Sequence, residues 1–189
     1  PCIRNGFISR ENLVFNYNYE FRMYDVADRI LTLTREDGDI LINYAPELKN
    51  KIRVVPHDVD TGFYTPPNKK SWERSTKNIL YLGNFQHYPN VDAVENFIHR
   101  CRDRIQQAVP DAKFYAIGFN PPQELLDLRS ENVIDREGGD DENVRRSYWN
   151  SDVFVAPIEL GTGFRGKLLE AMACGLPVVA TQLATFGIT

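Results

Sequence analysis

From residue 78 onward, short runs of β-branched and aromatic residues alternate with longer stretches of helical period, and the runs stop at glycine, proline or polar turn residues. Runs of that kind, joined through helical segments, are the signature of parallel βαβ units. The pattern predicts strands at residues 78–83, 113–118, 133–135, 152–157 and 177–181, the fourth of them apolar enough to be buried on both faces. Between them it predicts helices that open near residue 90 and at 121–128, 142–149 and 166–174. In the first helix Val91, Val94, Phe97, Ile98, Cys101, Ile105 and Ala108 recur at steps of three and four and make one apolar stripe. Asn90 reads as its cap, Asp92 and Glu95 fall in its positive first turn, and Pro110 ends it. The loop 138–141 caps the helix at 142–149. Five strands with right-handed crossovers form an open, doubly wound parallel sheet whose ligands sit at the carboxyl ends of its strands.

The first sixty residues read differently. Residues 24–33 suggest a helix running into a short strand, 35–44 a second helix and 51–56 another strand, while 60–70 holds Pro66, Pro67 and two lysines and reads as a linker. The organisation expected is 1–62 as the incomplete end of one α/β domain with its crossover, 63–76 as a linker and 77–189 as the second domain, truncated at its carboxyl end. A chain of 189 residues with 42% hydrophobic residues can bury one full core and part of another. Because it opens on Pro1 and stops at Thr189, just past a predicted strand, an excised piece of a longer protein is expected. The net charge of −4 and the absence of a basic run argue against nucleic acid as a partner. Cys2, Cys101 and Cys174 are odd in number and far apart, which argues against a disulfide framework or a structural zinc site and points to the cytoplasm. No apolar run approaches the roughly 18 residues of a membrane span.

The loop before the last predicted helix carries the chemistry. Gly161, Gly163 and Gly166 spell G-x-G-x-x-G. In a dinucleotide-binding turn the first glycine follows its strand almost directly, and an acidic residue about 20 positions later ends the next strand. Here Ile158, Glu159 and Leu160 separate Pro157 from Gly161, and the following strand ends Ala180-Thr181-Gln182 without a carboxylate, which disfavours the dinucleotide reading. Two readings remain. Gly161 and Gly163 free backbone amides to converge on an anion, Arg165 and Lys167 add two cations at a helix start that the dipole makes unfavourable for them, and Glu170 could accept from two neighbouring ribose hydroxyls. Alternatively the glycines form only a turn, the two cations point to water, and Glu170 compensates the dipole.

The ordered series Asp152-Val-Phe-Val-Ala-Pro157, Gly161-x-Gly163-x-Arg165-x-Lys167-x-Leu169-Glu170-Ala171-Met172-Ala173-x-Gly175-x-Pro177-Val178-Val179-Ala180-Thr181 resembles the signature of glycosyltransferase family 4, retaining enzymes of the GT-B fold. Leu80-Tyr-Leu-Gly83 with Tyr88-Pro-Asn-Val-Asp-Ala93 is similar to the first strand and helix of the donor-binding domain in one branch of that family. Tyr24-Asp-Val-Ala-Asp28 and Val54-Val-Pro-His-Asp-Val-Asp60 look like its last acceptor-domain strand region and its crossover. The resemblance implies a Rossmann-like donor half of a two-domain cleft, a nucleotide-diphosphate sugar as donor, a sugar or lipid-linked acceptor, and retention at the anomeric carbon. It also implies no metal and no cofactor, and no Asp-x-Asp stands in a strand-end loop.

On the same resemblance, Glu170 matches the second glutamate of the family's Glu, seven residues, Glu motif, which holds the ribose. The first falls at Thr162, a departure that passes contact with the donor sugar to the backbone of Thr162, Gly163 and Phe164, beside Gly161. A second departure stands after the first strand, where many members place Arg and Lys. Here Gly83-Asn84-Phe-Gln-His87 occupies the place, so Arg165 and Lys167 become the residues that neutralise the leaving diphosphate, with Gly83, Asn84 and His87 as neighbours. Base recognition falls to the backbone near Gly118 and residues 134–137. His57 reads as part of a hinge and His99 as a surface residue, and Trp72 and Trp149 as packing residues. Peripheral association with the inner face of a membrane is common in the family, but no strongly amphipathic basic helix supports it here. The class alternative to an enzyme is a nucleotide-sugar-binding module or partner subunit without its own acceptor half.

Overall fold

The structure, a computed structural model, describes residues 10–67, 76–131, 133–137 and 139–188. The described residues divide into two compact units, one running to residue 57 with 187–188, the other within residues 58–186.

The smaller unit runs α1 (Arg10–Val26), β1 (Ile30–Thr32), α2 (Arg35–Tyr44), a 3-10 turn (Pro46–Asn50) and β2 (Ile52–Val54). β1 and β2 pair in parallel with Ile30 opposite Ile52, and these two residues with Ala45 and Leu48 form a small core under Phe21, Tyr24, Leu41 and Ile42. α2 begins where it does because Thr34 closes a reciprocal cap: its Oγ1 accepts from the Asp37 amide at 2.9 Å and donates to Asp37 Oδ2 at 2.7 Å.

The larger unit is the doubly wound sheet. Its strands β3 (Asn78–Asn84), β4 (Lys113–Phe119), β5 (Val133–Glu137), β6 (Val153–Ala156) and β7 (Val178–Ala180) stand in the order β5-β4-β3-β6-β7, every pair parallel. Chain order runs outward from β3 through α3 (Tyr88–Ala108) and α4 (Gln123–Asp127) to β5. It then returns through α5 (Asp141–Trp149) to β6 on the other side of β3, and through α6 (Gly166–Ala173) to β7. The direction of winding therefore reverses between β3 and β6, which is the place where open α/β sheets bind ligands. Leu80, Tyr81, Phe114 and Phe154 of the sheet are buried with Val94 and Phe97 of α3 and Leu168 and Ala171 of α6.

Several predicted boundaries move. α3 starts at Tyr88 with Pro89 in its first two positions and His87 before it, so Asn90 is not a cap, and neither Asp92 nor Glu95 lies in the first turn. Along its stripe Val91, Val94, Phe97 and Ile98 are buried, Cys101 and Ile105 are half-buried and Ala108 is exposed. The helix predicted at 121–128 shrinks to five residues, because two prolines delay its start. Residues 63–65, placed in the linker on sequence, pack on α5: Trp149 Nε1 donates to the Thr65 carbonyl at 2.7 Å, Arg145 donates to that of Phe63 at 3.2 Å, and Tyr64 is buried edge-on to Tyr148. The rest of that linker at 68–75, with Trp72, lies outside the described residues, as do Cys2, Gly138 and Thr189. No helix among the described residues is long and apolar enough to cross a membrane.

Candidate functional site

At the carboxyl ends of β3, β4 and β6 lies a cleft of about 480 Å³, closed on one side by the start of α6. Its floor is made by a close approach of two strands. Gly83 and Gly118 stand opposite one another in the β3–β4 register, and a Cβ on Gly118 would come within 1.9 Å of the Gly83 carbonyl oxygen. No other residue type fits at Gly118 without moving backbone.

The turn after β3 is held by Asn90 from the first turn of α3. Asn90 Nδ2 donates to the Asn84 carbonyl at 2.7 Å, and its Oδ1 accepts from the buried Tyr81 hydroxyl at 2.9 Å. Tyr81, Gly83, Asn84 and Asn90 all line the cleft. Burial pushes the Tyr81 hydroxyl well above its ordinary range, with the charge of Arg165 opposing in part.

The glycine loop after β6 behaves as its spelling predicts at two positions. Gly161 (φ +87) and Gly163 (φ +97) are left-handed, a conformation that side chains disfavour, while Gly166 is the first residue of α6. A Cβ on Gly161 would also press on Pro89 at 3.2 Å, so the loop closes against the start of α3. Below it, the Thr181 hydroxyl donates to the Ile158 carbonyl.

Arg165 precedes α6 and Lys167 is its second residue, with no side-chain cap at this end. Both line the cleft together with Phe164. The helix dipole opposes two cations here, and an anion between them would reverse the sign of that interaction. Arg165 is half-buried, and burial lowers its pKa, opposed by Tyr81. Its guanidinium donates to the Gly163 carbonyl at 2.6 Å and reaches that of Leu183 at 3.4 Å. Lys167 Nζ does not stand free: it lies 3.1 Å from Glu170 Oε1 and 3.0 Å from Oε2. Glu170, one turn further along α6, is 17% exposed at its side chain and does not line the cleft.

Of the residues singled out on sequence, Gly83, Asn84, Gly118, Phe164, Arg165 and Lys167 surround the cleft, and Gly161, Thr162, Gly163, His87 and Glu170 do not. His87 is an exposed residue before α3, and His99 is exposed on the outer side of that helix. Sequence reasoning missed Tyr81, Asn90, Tyr148 and Tyr64 as parts of the site. The Tyr148 hydroxyl, on α5, donates to Glu170 Oε2 at 3.0 Å and lies 3.1 Å from the Lys167 carbonyl. Burial first, then Glu170, pushes that hydroxyl far above its ordinary range. Tyr64 is pushed up to about 12 for the same two reasons in the same order. A tyrosine at the penultimate position of a helix that is polar but for Val144 and Trp149 was the one signal that could have drawn attention to Tyr148.

Residues 76–188 match the model of the family described as glycosyl transferases group 1. The chain is 26% identical over 183 residues to an uncharacterized glycosyltransferase, MJ1059, of Methanocaldococcus jannaschii, a match covering 92% of this chain and 43% of the relative. It is 28% identical over 181 residues to the D-inositol 3-phosphate glycosyltransferase of Corynebacterium jeikeium, covering 86% and 43%. Among solved structures, HepE of Anabaena in complex with UDP and glucose superposes with a TM-score of 0.65 at 15% identity, over 95% of this chain and 50% of that one. The chain thus spans about two-fifths of the length of these curated relatives. With the family's pattern running through the whole switch-point sheet and the helix that closes its cleft, the chain belongs to the group 1 glycosyl transferases.

Proposed function

We propose that this chain is the donor-binding part of a retaining glycosyltransferase, which moves a sugar from a nucleotide-diphosphate sugar to a sugar or lipid-linked acceptor in polysaccharide or glycoconjugate synthesis. One observation carries the reading: Arg165 and Lys167 converge on the switch-point cleft at the uncapped start of α6, and a carboxylate stands one turn behind them. The complex of HepE with UDP and glucose, which shares the fold, supports a nucleotide and a sugar as the occupants.

Breaking the bond between sugar and diphosphate builds negative charge on the leaving phosphate and positive charge on the ring. Cations and amides already aimed at that phosphate stabilise the developing charge, at about 3 kcal/mol for each well-placed donor. In this reading Arg165, Lys167 and the backbone at Phe164, which line the cleft, take the diphosphate, the backbone of 161–163, which does not line it, takes the sugar, and Glu170, covered by Lys167, takes the ribose. Side-chain cations supply the neutralisation, so the reading calls for no resident metal or cofactor. The acceptor attacks from the side of the leaving group, whose phosphate takes its proton, and the chain needs no nucleophile of its own.

Calorimetry with UDP and GDP tests the binding, and saturation at one nucleotide per chain is the expected result. Lack of saturable binding by either nucleotide would contradict the reading. In the full-length enzyme Arg165→Ala is expected to lower kcat/KM about 100-fold. Turnover within a few-fold of the parent would remove Arg165 from the phosphate role.

A further inference from the structure

Two side chains hydrogen-bond the Glu170 carboxylate, and they differ in how freely they can leave. Tyr148 is 1% exposed, packed between Tyr64 at 6.1 Å and Phe154 at 5.8 Å, and its hydroxyl reaches Glu170 Oε2 at 3.0 Å. Tyr64 is buried ring to ring against Tyr148, within reach of the Glu170 charge, and its neighbours Thr65 and Phe63 are fixed through their carbonyls, which accept from Trp149 and Arg145 on α5. Lys167 is different. Its side chain is 42% exposed, it lines the cleft, and its ammonium bridges both carboxylate oxygens.

An ionised carboxylate offers about four acceptor directions. Tyr148 occupies one of them on Oε2 and the bridging ammonium occupies one on each oxygen. When the ammonium departs, one direction on each oxygen opens together, the geometry that a pair of vicinal hydroxyls requires. A mostly buried carboxylate left with no such partner would be costly, so departure of the lysine and arrival of the hydroxyls belong to one event. The anion that draws the lysine away is the diphosphate of the same ligand. This also accounts for a cleft that Lys167 lines and Glu170 does not.

We propose that Tyr148, seconded by Tyr64, is the positioning residue that holds Glu170 ready for the ribose, while Lys167 is an exchangeable cover that leaves the carboxylate for the diphosphate as the two ribose hydroxyls take its place. This deepens the donor-site reading above and rests on it.

The test compares UDP with its 2′,3′-dideoxy analogue, and inorganic pyrophosphate with both, by calorimetry on this chain, with GDP and its dideoxy analogue as a parallel pair. The parent chain is expected to favour the ribose form by about tenfold or more, the worth of hydrogen bonds to a charged acceptor. Tyr148→Phe is expected to bring that preference to within about threefold while the dideoxy nucleotide and pyrophosphate keep their affinity. Lys167→Met is expected to weaken nucleotide and pyrophosphate alike. A tyrosine that served packing alone would weaken every ligand together and leave the ribose preference intact, and that result overturns the proposal. If Tyr148→Phe does not fold, Tyr64→Phe carries the same comparison, and an unchanged preference there overturns it equally. A parent chain that binds the nucleotides without preferring ribose refutes instead the assignment of Glu170 to the ribose, which separates the two failures.

Discussion

Gly118 stands in the carboxyl end of β4 and Gly163 in the loop after β6, and an added methyl group meets different obstacles at the two. At Gly118 the obstacle is backbone, the Gly83 carbonyl oxygen at 1.9 Å, so β3 and β4 must part to admit a side chain. At Gly163 there is open space, and only the left-handed φ of +97 resists. Gly118→Ala is therefore expected to cost about 3 kcal/mol or more, the scale of a severe overpacking change, and to widen the cleft floor. Gly163→Ala is expected to cost between about 1 and 3 kcal/mol of strain alone. Urea denaturation of the two variants checks the order, and a Gly118→Ala chain as stable as the parent would contradict the close approach. The two glycines were also unequally legible. Gly163 announces itself through spacing with Gly161, whereas the need for Gly118 exists only once the register sets it opposite Gly83.

α5 is the element on which the site's support converges. It begins with Asp140 accepting from the Asn143 amide at 3.0 Å, and it ends with Tyr148 against Glu170 and Trp149 on the Thr65 carbonyl. Between them Arg145 lies over both Phe63 and Trp149, at 4.4 and 4.6 Å from the ring centroids. Asp140→Ala removes the cap and is expected to destabilise the chain by about 1 kcal/mol, read as a lower urea midpoint with an unchanged slope. The strands and helices of this sheet could be read because burial on two faces writes itself as apolar runs and stripes. Contacts between distant segments leave no such period. Asn90 looked like a cap because its type favours caps, but its partners are Tyr81 and Asn84, which only the folding of α3 onto β3 brings near. Tyr64 looked like linker for the same reason: a proline-rich neighbourhood hides a ring that α5 buries. The cleft's cations were legible from their spacing, and the tyrosines behind Glu170 were not.

At the scale of the whole molecule, the titratable groups that folding perturbs most among the described residues are hydroxyls and a thiol, and they are unevenly shared. The larger unit holds Tyr64, Tyr81, Tyr148 and Cys174, each pushed upward chiefly by burial, and the smaller unit holds Tyr24, pushed up to about 12 by burial and then by Glu20. In every case the fold keeps the protonated form against an unfolded chain that releases its proton earlier, near 9.0 for the thiol and 10.0 for the phenols. The folded chain therefore binds more protons than the unfolded one above those values, and stability falls as pH rises. Cys174, raised to about 11, opens the window near pH 9, and Tyr64 and Tyr24, raised to about 12, extend it. The urea midpoint is expected to be insensitive to these groups up to about pH 9 and to decline steadily from there towards about pH 12, with the tyrosinate absorbance of the buried phenols appearing as unfolding proceeds rather than before it. Because four of the five groups lie in the sheet unit, the loss should be steeper for signals that report on that unit, such as fluorescence of Trp149, than for the helical signal of the whole chain. Because Tyr17, Tyr19, Tyr44 and Tyr88 are exposed, the buried phenols are read by difference: Tyr148→Phe is expected to leave the tyrosinate absorbance of the still-folded chain unchanged and to lower only the part that appears with unfolding, and a loss from the folded-chain part would show Tyr148 exposed and its support of Glu170 absent.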